Sequence, residues 1–176
     1  SETLLDNLAQ ERELLAPLLE KSTYIINTTD LNSSELKNRV RELFSTDNER
    51  ERMGIVVRSF GFKYGLPLDS DLVLDVRFLP NPFYVEELRA QTGNDQAVVD
   101  YICRYPQTFE YLKLEAKRFD FLIPQYINEG KSQLVISVGC TGGQHRSVFV
   151  ANKIYEYLST QGYKVEVSHR ELSNKK

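Results

Sequence analysis

Gln133-Leu134-Val135-Ile136-Ser137-Val138-Gly139-Cys140-Thr141-Gly142-Gly143-Gln144-His145-Arg146-Ser147 is the stretch on which the fold turns. Gln133 to Val138 is a six-residue, apolar-rich run too short for a helix, and it reads as a buried strand. After the loop 139–146, Val148, Ala151, Ile154, Tyr155 and Leu158 recur at helical spacing on one face. Gly162 ends that helix, and Tyr163 to Val167 reads as another strand. Working upstream, Gly54 to Phe60 and Leu72 to Arg77 are β-rich, separated by the glycine-containing loop Gly61 to Gly65. Pro80 and Pro82 forbid regular structure just after the second of these. Asp95 to Tyr101 predicts a short helix and Thr108 to Asn128 a longer one, kinked at Pro124. Strands alternating with helices predict an α/β domain over 51–176, with a mainly parallel sheet and helices on both faces.

Residues 1–50 read differently. Leu4, Leu5, Leu8, Leu15, Leu18 and Leu19 suit one helical face with a break at Pro17. Tyr24 to Ile26 is a short strand candidate, Asn27 to Asp30 supplies turn and capping chemistry, and Ser33 to Phe44 is a second helix. One short strand makes no sheet, so this segment reads as the end of an α/β domain whose other strands lie elsewhere. Ser45 to Arg52 is polar and reads as the linker. The chain begins at Ser1 rather than Met, which suits a piece of a longer protein.

Composition narrows the function classes. With 41% hydrophobic and 27% charged residues, 10 Tyr and 9 Phe in 176 residues, the chain is not of the disordered class. No apolar run approaches the roughly 18 residues that cross a bilayer, and no signal peptide is visible, so no membrane partner is expected. Two cysteines, Cys103 and Cys140, make no disulfide framework and suit the cytoplasm. The net charge is −3, but residues 1–50 carry 6 basic and 10 acidic side chains, a net of −4. Residues 144–176 carry 6 basic and 3 acidic, a net of +3, so attraction for anions is confined to the C-terminal third.

The loop after the buried strand carries the chemistry. It lies between strand and helix, where open α/β sheets hold ligands. Gly142 and Gly143 let successive N–H groups turn inward as an anion nest, and the following helix points its positive end there. Arg146 adds a guanidinium suited to gripping a phosphate. His145 reads as a ligand contact or as a cap on the helix start. Cys140, Arg146 and Ser147 have the Cys-x5-Arg-Ser spacing of cysteine-dependent phosphatases. Cys140 is therefore either a thiolate nucleophile, with Asp69, Asp71 and Asp75 as general-acid candidates, or a small side chain ending a strand. No Gly-x4-Gly-Lys-Ser/Thr loop and no zinc-type spacing occur in the sequence.

Ser59 to Gly65, Asp75-Val76-Arg77-Phe78-Leu79-Pro80-Asn81-Pro82, Thr92-Gly93-x-Asp95, Gly139 to Ser147 and His169-Arg170 together resemble the C-terminal domain of the RapZ/YvcJ family of bacterial nucleotide-binding proteins, which includes the RNase adapter protein. Residues 1–50, with Ile25 to Leu31, resemble the end of that family's N-terminal P-loop kinase-like domain. The resemblance implies a regulatory domain binding a phosphorylated amino sugar, such as glucosamine-6-phosphate, or a nucleotide-sugar. It also implies contacts with small RNA and a ribonuclease, and assembly into homo-oligomers. ATP or GTP would bind and be hydrolysed at a Walker loop this chain lacks, so no cofactor and no enzymatic activity of its own are expected here. By the same resemblance the ligand residues are Cys140, Thr141, Gly142, Gly143, His145, Arg146 and Ser147. Asp75, Arg77 and Asn81 are our own addition, as a second wall ending a strand. RNA-binding candidates are His169, Arg170, Lys175 and Lys176, in a tail less basic than the adapter's. Gln144 stands where Lys is common in the family, removing one loop charge.

Overall fold

The computed structural model describes residues 4–44 and 53–173 and divides into two compact units, Ser1–Thr46 and Asp47–Lys176. The expected linker, residues 45–52, lies outside the described residues, as do Lys175 and Lys176. In the first unit, α1 (Leu4–Lys21) continues through Pro17, and α2 (Ser33–Phe44) follows. Asn32 and Glu35 form a reciprocal cap at the start of α2. Asn32 Oδ1 accepts from the Ser34 and Glu35 N–H groups, and Glu35 Oε2 accepts from the Asn32 N–H. Tyr24 to Ile26, expected as a strand, has no regular secondary structure and pairs with no strand among the described residues. Tyr24 packs edge-on against Phe44, with ring centroids 5.1 Å apart.

The second unit contains β1 (Gly54–Gly61), β2 (Leu72–Asp75), α3 (Gln96–Cys103), α4 (Pro106–Glu129), β3 (Gln133–Cys140), α5 (Arg146–Thr160), β4 (Lys164–His169) and α6 (Arg170–Ser173). The four strands form one sheet in the order β2-β3-β1-β4, and every pairing is parallel. The alternating α/β reading with a parallel sheet is thus what the molecule contains.

Register explains why β3 shows no alternation in its sequence. It sits between β1 and β2, and every residue from Leu134 to Cys140 is buried. On one face Ile55 aligns with Leu134 and Val57 with Ile136, while Leu74 aligns with Val138. Phe119 and Ile123 of α4, Val98 and Ile102 of α3, and Phe149, Ile154 and Leu158 of α5 complete that core. On the opposite face polar groups pair: Ser70 Oγ lies 2.6 Å from Ser137 Oγ, and Asp71 accepts from the Val135 N–H and Lys131. Gly130, in the left-handed conformation at φ 94°, ends α4 beyond Pro124. Among the described residues no helix is long and apolar enough to cross a membrane.

Candidate functional site

All four strands deliver residues to one cleft beyond their carboxyl ends. Lys63 and Tyr64 follow β1, Asn81, Phe83 and Tyr84 follow β2, Cys140 to Arg146 follow β3, and Arg170 to Leu172 follow β4. The cleft has a volume of about 850 Å³. Its charged walls are Lys63, Arg146 and Arg170 against the single carboxylate of Glu171, an excess of positive charge suited to an anion.

β3 runs two residues further than expected, to Cys140, so the loop proper is short. Cys140 is buried with Sγ 3.2 Å from Ser147 Oγ, and the Gly143 N–H donates to the same sulfur at 3.3 Å. Gly143 adopts φ 71°, a conformation open to glycine, and a Cβ there would lie 2.5 Å from Glu171 Oε2 and 2.7 Å from the Gly61 nitrogen. A second strut holds the loop from outside: Gly93 N–H donates to the Gln144 carbonyl, and Gln144 Nε2 donates to the carbonyls of Arg89 and Gln91.

The expected ligand residues fall into three groups. Cys140, Thr141, Gly142, His145, Arg146 and Asn81 line the cleft, whereas Gly143 and Ser147 are buried behind it. Asp75 and Arg77 pair with each other outside the lining, Arg77 Nη2 lying 2.6 Å from Asp75 Oδ2. Arg77 still matters through its backbone. Arg146 Nη1 donates to the carbonyls of Arg77 and Leu79, so the loop arginine also braces the segment after β2. Its Nε is buried without a hydrogen-bond partner.

His145 stands at the N-cap position of α5, but its side chain makes no capping hydrogen bond there. Its Nε2 lies 3.1 Å from the Leu88 carbonyl oxygen, and burial holds its pKa below the ordinary histidine value. Of the tail residues, His169 Nδ1 lies 2.9 Å from Ser59 Oγ. Arg170 turns into the molecule, donating to the carbonyls of Gly61 and Gly65 and to Glu171 Oε1.

The three acid candidates are committed elsewhere. Arg58 hydrogen-bonds Asp69, holding its pKa below the usual carboxylate value, and Arg77 does the same to Asp75. Burial pushes Asp71 up, but the bonds from Lys131 and the Val135 N–H outweigh it and the net shift is downward. Lys63, Tyr64, Phe83, Tyr84, Glu171 and Leu172 were not singled out by sequence. Their signal was position: each follows a strand end, where open parallel sheets gather their sites.

These features define an open, all-parallel α/β domain with a basic cleft walled by a strand–loop–helix turn. The chain belongs to the RapZ family: residues 53–173 match the RapZ C-terminal domain and residues 1–48 the RapZ-like N-terminal domain. It is 49% identical over 166 residues to a nucleotide-binding protein of Alkaliphilus oremlandii, covering 94% of this chain and 57% of that protein. A nucleotide-binding protein of Caldicellulosiruptor saccharolyticus is 49% identical over 173 residues, 97% of this chain and 58% of its own length. A third, from Thermoanaerobacter sp. strain X514, is 48% identical over 169 residues, 96% and 60% respectively. The chain therefore spans less than two thirds of these relatives.

Proposed function

We propose that the second unit is a regulatory domain that binds a phosphorylated sugar or nucleotide-sugar in the cleft, with the phosphate at the Cys140 to Ser147 loop. The observation that carries this is the excess of positive charge in the cleft, Lys63, Arg146 and Arg170 against Glu171, beside the loop that opens α5. A phosphate there meets both that charge and the positive end of the helix. In the longer protein, ATP or GTP would be handled by a Walker loop outside this chain. RNA and a ribonuclease would be partners of the assembled homo-oligomer in the cytoplasm, and no membrane is involved.

Thermal unfolding with sulfate, glucosamine-6-phosphate, UDP-N-acetylglucosamine and ATP in turn tests this reading. A ligand at 100 times its Kd adds about 2.7 kcal/mol of stability to the folded state. A rise specific to one sugar phosphate, reduced in the exposed-residue variant Lys63→Ala, supports it. Equal small rises for every anion, sulfate included, would remove it.

A phosphatase is the second reading, favoured by the contact of Cys140 Sγ with Ser147 Oγ and the Gly143 N–H. Against it stand the ion pairs that occupy Asp69, Asp71 and Asp75, leaving none of them placed as a general acid. Turnover of an aryl phosphate that vanishes in Cys140→Ser would favour it.

A further inference from the structure

β4 stands at one end of the strand order and pairs with β1 alone. Among the described residues of the second unit, its outer edge therefore offers backbone N–H and C=O groups to no strand. Its side chains alternate strictly. Lys164, Glu166 and Ser168 are exposed, while Val165 and Val167 are only partly buried against the core, as is Tyr163 just before the strand. The two exposed charges gain nothing from inside the sheet, because Lys164 aligns with Gly54 of β1 and Glu166 with Val56. Among the described residues neither of them is in an ion pair.

An edge lysine ordinarily guards a strand against further pairing. Glu166, two residues away on the same face, changes that result. Consider β4 paired antiparallel with its own copy about a two-fold axis normal to the sheet. Each face then stays continuous, residues of one face stand opposite each other, and the axis passes through a residue. Through Glu166 it would set that carboxylate against itself. Through Val167 it would set Glu166 against Ser168 and leave Lys164 without a carboxylate. Through Val165 it sets Lys164 opposite Glu166 on both sides of the axis, two charge pairs at once. On the other face the same register brings Val165 against Val165 and Tyr163 against Val167, the apolar side chains that one copy covers only in part.

We propose that the β4 edge is the interface between two copies of this domain, paired antiparallel about Val165 so that two four-stranded sheets become one continuous sheet. The interface rests on the homo-oligomer of the reading above and on nothing in its ligand. Main-chain hydrogen bonds supply the affinity, and the two Lys164–Glu166 pairs fix the register. The antiparallel arrangement sends the two clefts, each beyond the carboxyl ends of its own strands, to opposite ends of the joint sheet.

Sedimentation equilibrium on the native chain, Lys164→Glu, Glu166→Lys and the double exchange Lys164→Glu/Glu166→Lys tests this. Both positions are exposed, so the variants should fold, and circular dichroism checks that they do. The native chain is expected to dimerise. Each single change turns two attractive pairs into two repulsive ones and should weaken the dimer about ten-fold or more. The double exchange restores the pairs and should return the affinity to within about three-fold of native. A native chain that stays monomeric throughout the micromolar range would remove the oligomer reading for this chain, and the interface with it. A dimer indifferent to the single changes would put the contact elsewhere, as on the exposed leucines of α1, and overturn the β4 interface alone. A double exchange that restores nothing would overturn it too.

Discussion

Cys140 Sγ and Ser147 Oγ lie 3.2 Å apart, across the turn that carries the chain from β3 into α5. The two side chains close the loop on itself from inside, and the Gly143 N–H reaches the same sulfur. Ser147→Ala removes a buried hydroxyl from this cluster and is expected to cost about 1–3 kcal/mol in urea unfolding, the penalty for leaving a buried partner unsatisfied. No loss of stability would mean that the contact is incidental.

Arg146 is expected to show two effects at once. Arg146→Ala deletes the bonds to the Arg77 and Leu79 carbonyls as well as the charge at the loop. The bracing bonds predict a destabilisation of about 2–4 kcal/mol, since hydrogen bonds to charged groups carry about 1.5–3 kcal/mol each and are not additive. Chemical denaturation without ligand measures this, and an unchanged midpoint would refute the bracing role.

Gly93→Ala should disturb the loop although residue 93 lies outside the cleft lining. A Cβ at Gly93 would fall 2.3 Å from the His145 carbonyl oxygen and 2.5 Å from the Phe149 nitrogen, both backbone atoms that cannot swing aside. Overpacking of this kind costs about 1–3 kcal/mol. The variant is expected to lower the melting temperature and weaken ligand affinity together, read by calorimetry with and without ligand.

Two pH effects have the same sign and different windows. Burial lowers the pKa of His145 and His169 below the ordinary 6.5, so the unfolded chain takes up protons first. Stability from these residues is full above pH 6.5 and is lost as pH falls below it through the folded values. Asp71 and Asp75 are also lowered, from 3.8, so their contribution holds above about pH 4 and is lost in stronger acid. A melting profile should therefore decline first below pH 6.5 and again below about 4, with His169→Gln flattening the first decline. A flat profile from pH 7 to 5 would contradict the buried, neutral histidines.

Much of the fold was legible because β3 and α5 carry strong signals: an unbroken apolar run and a one-faced helical repeat. The Cys140 to Arg146 wall of the cleft followed from them. Tyr24 to Ile26 was misread because three β-prone residues look like a strand whether or not a partner edge exists. Asp75 and Arg77 were placed correctly after a strand, yet their side chains satisfy each other before they can face a ligand. Glu171 and Phe83 carry no signal in their residue types, only in their place after a strand end, and it is the strand order that brings residues so distant in sequence to one cleft.

That strand order also governs when the domain can form. β1 lies between β3 and β4, and neither neighbour is made until Gln133 and Lys164 have been added to the chain. During synthesis β1 exists first as an exposed, apolar segment with both edges open, and no local hairpin can shelter it. Pairings this remote in sequence fold slowly and leave aggregation-prone intermediates. A nascent chain stalled before β3 should therefore be protease-sensitive and dependent on chaperones, and the domain should snap into place only near the end of its translation.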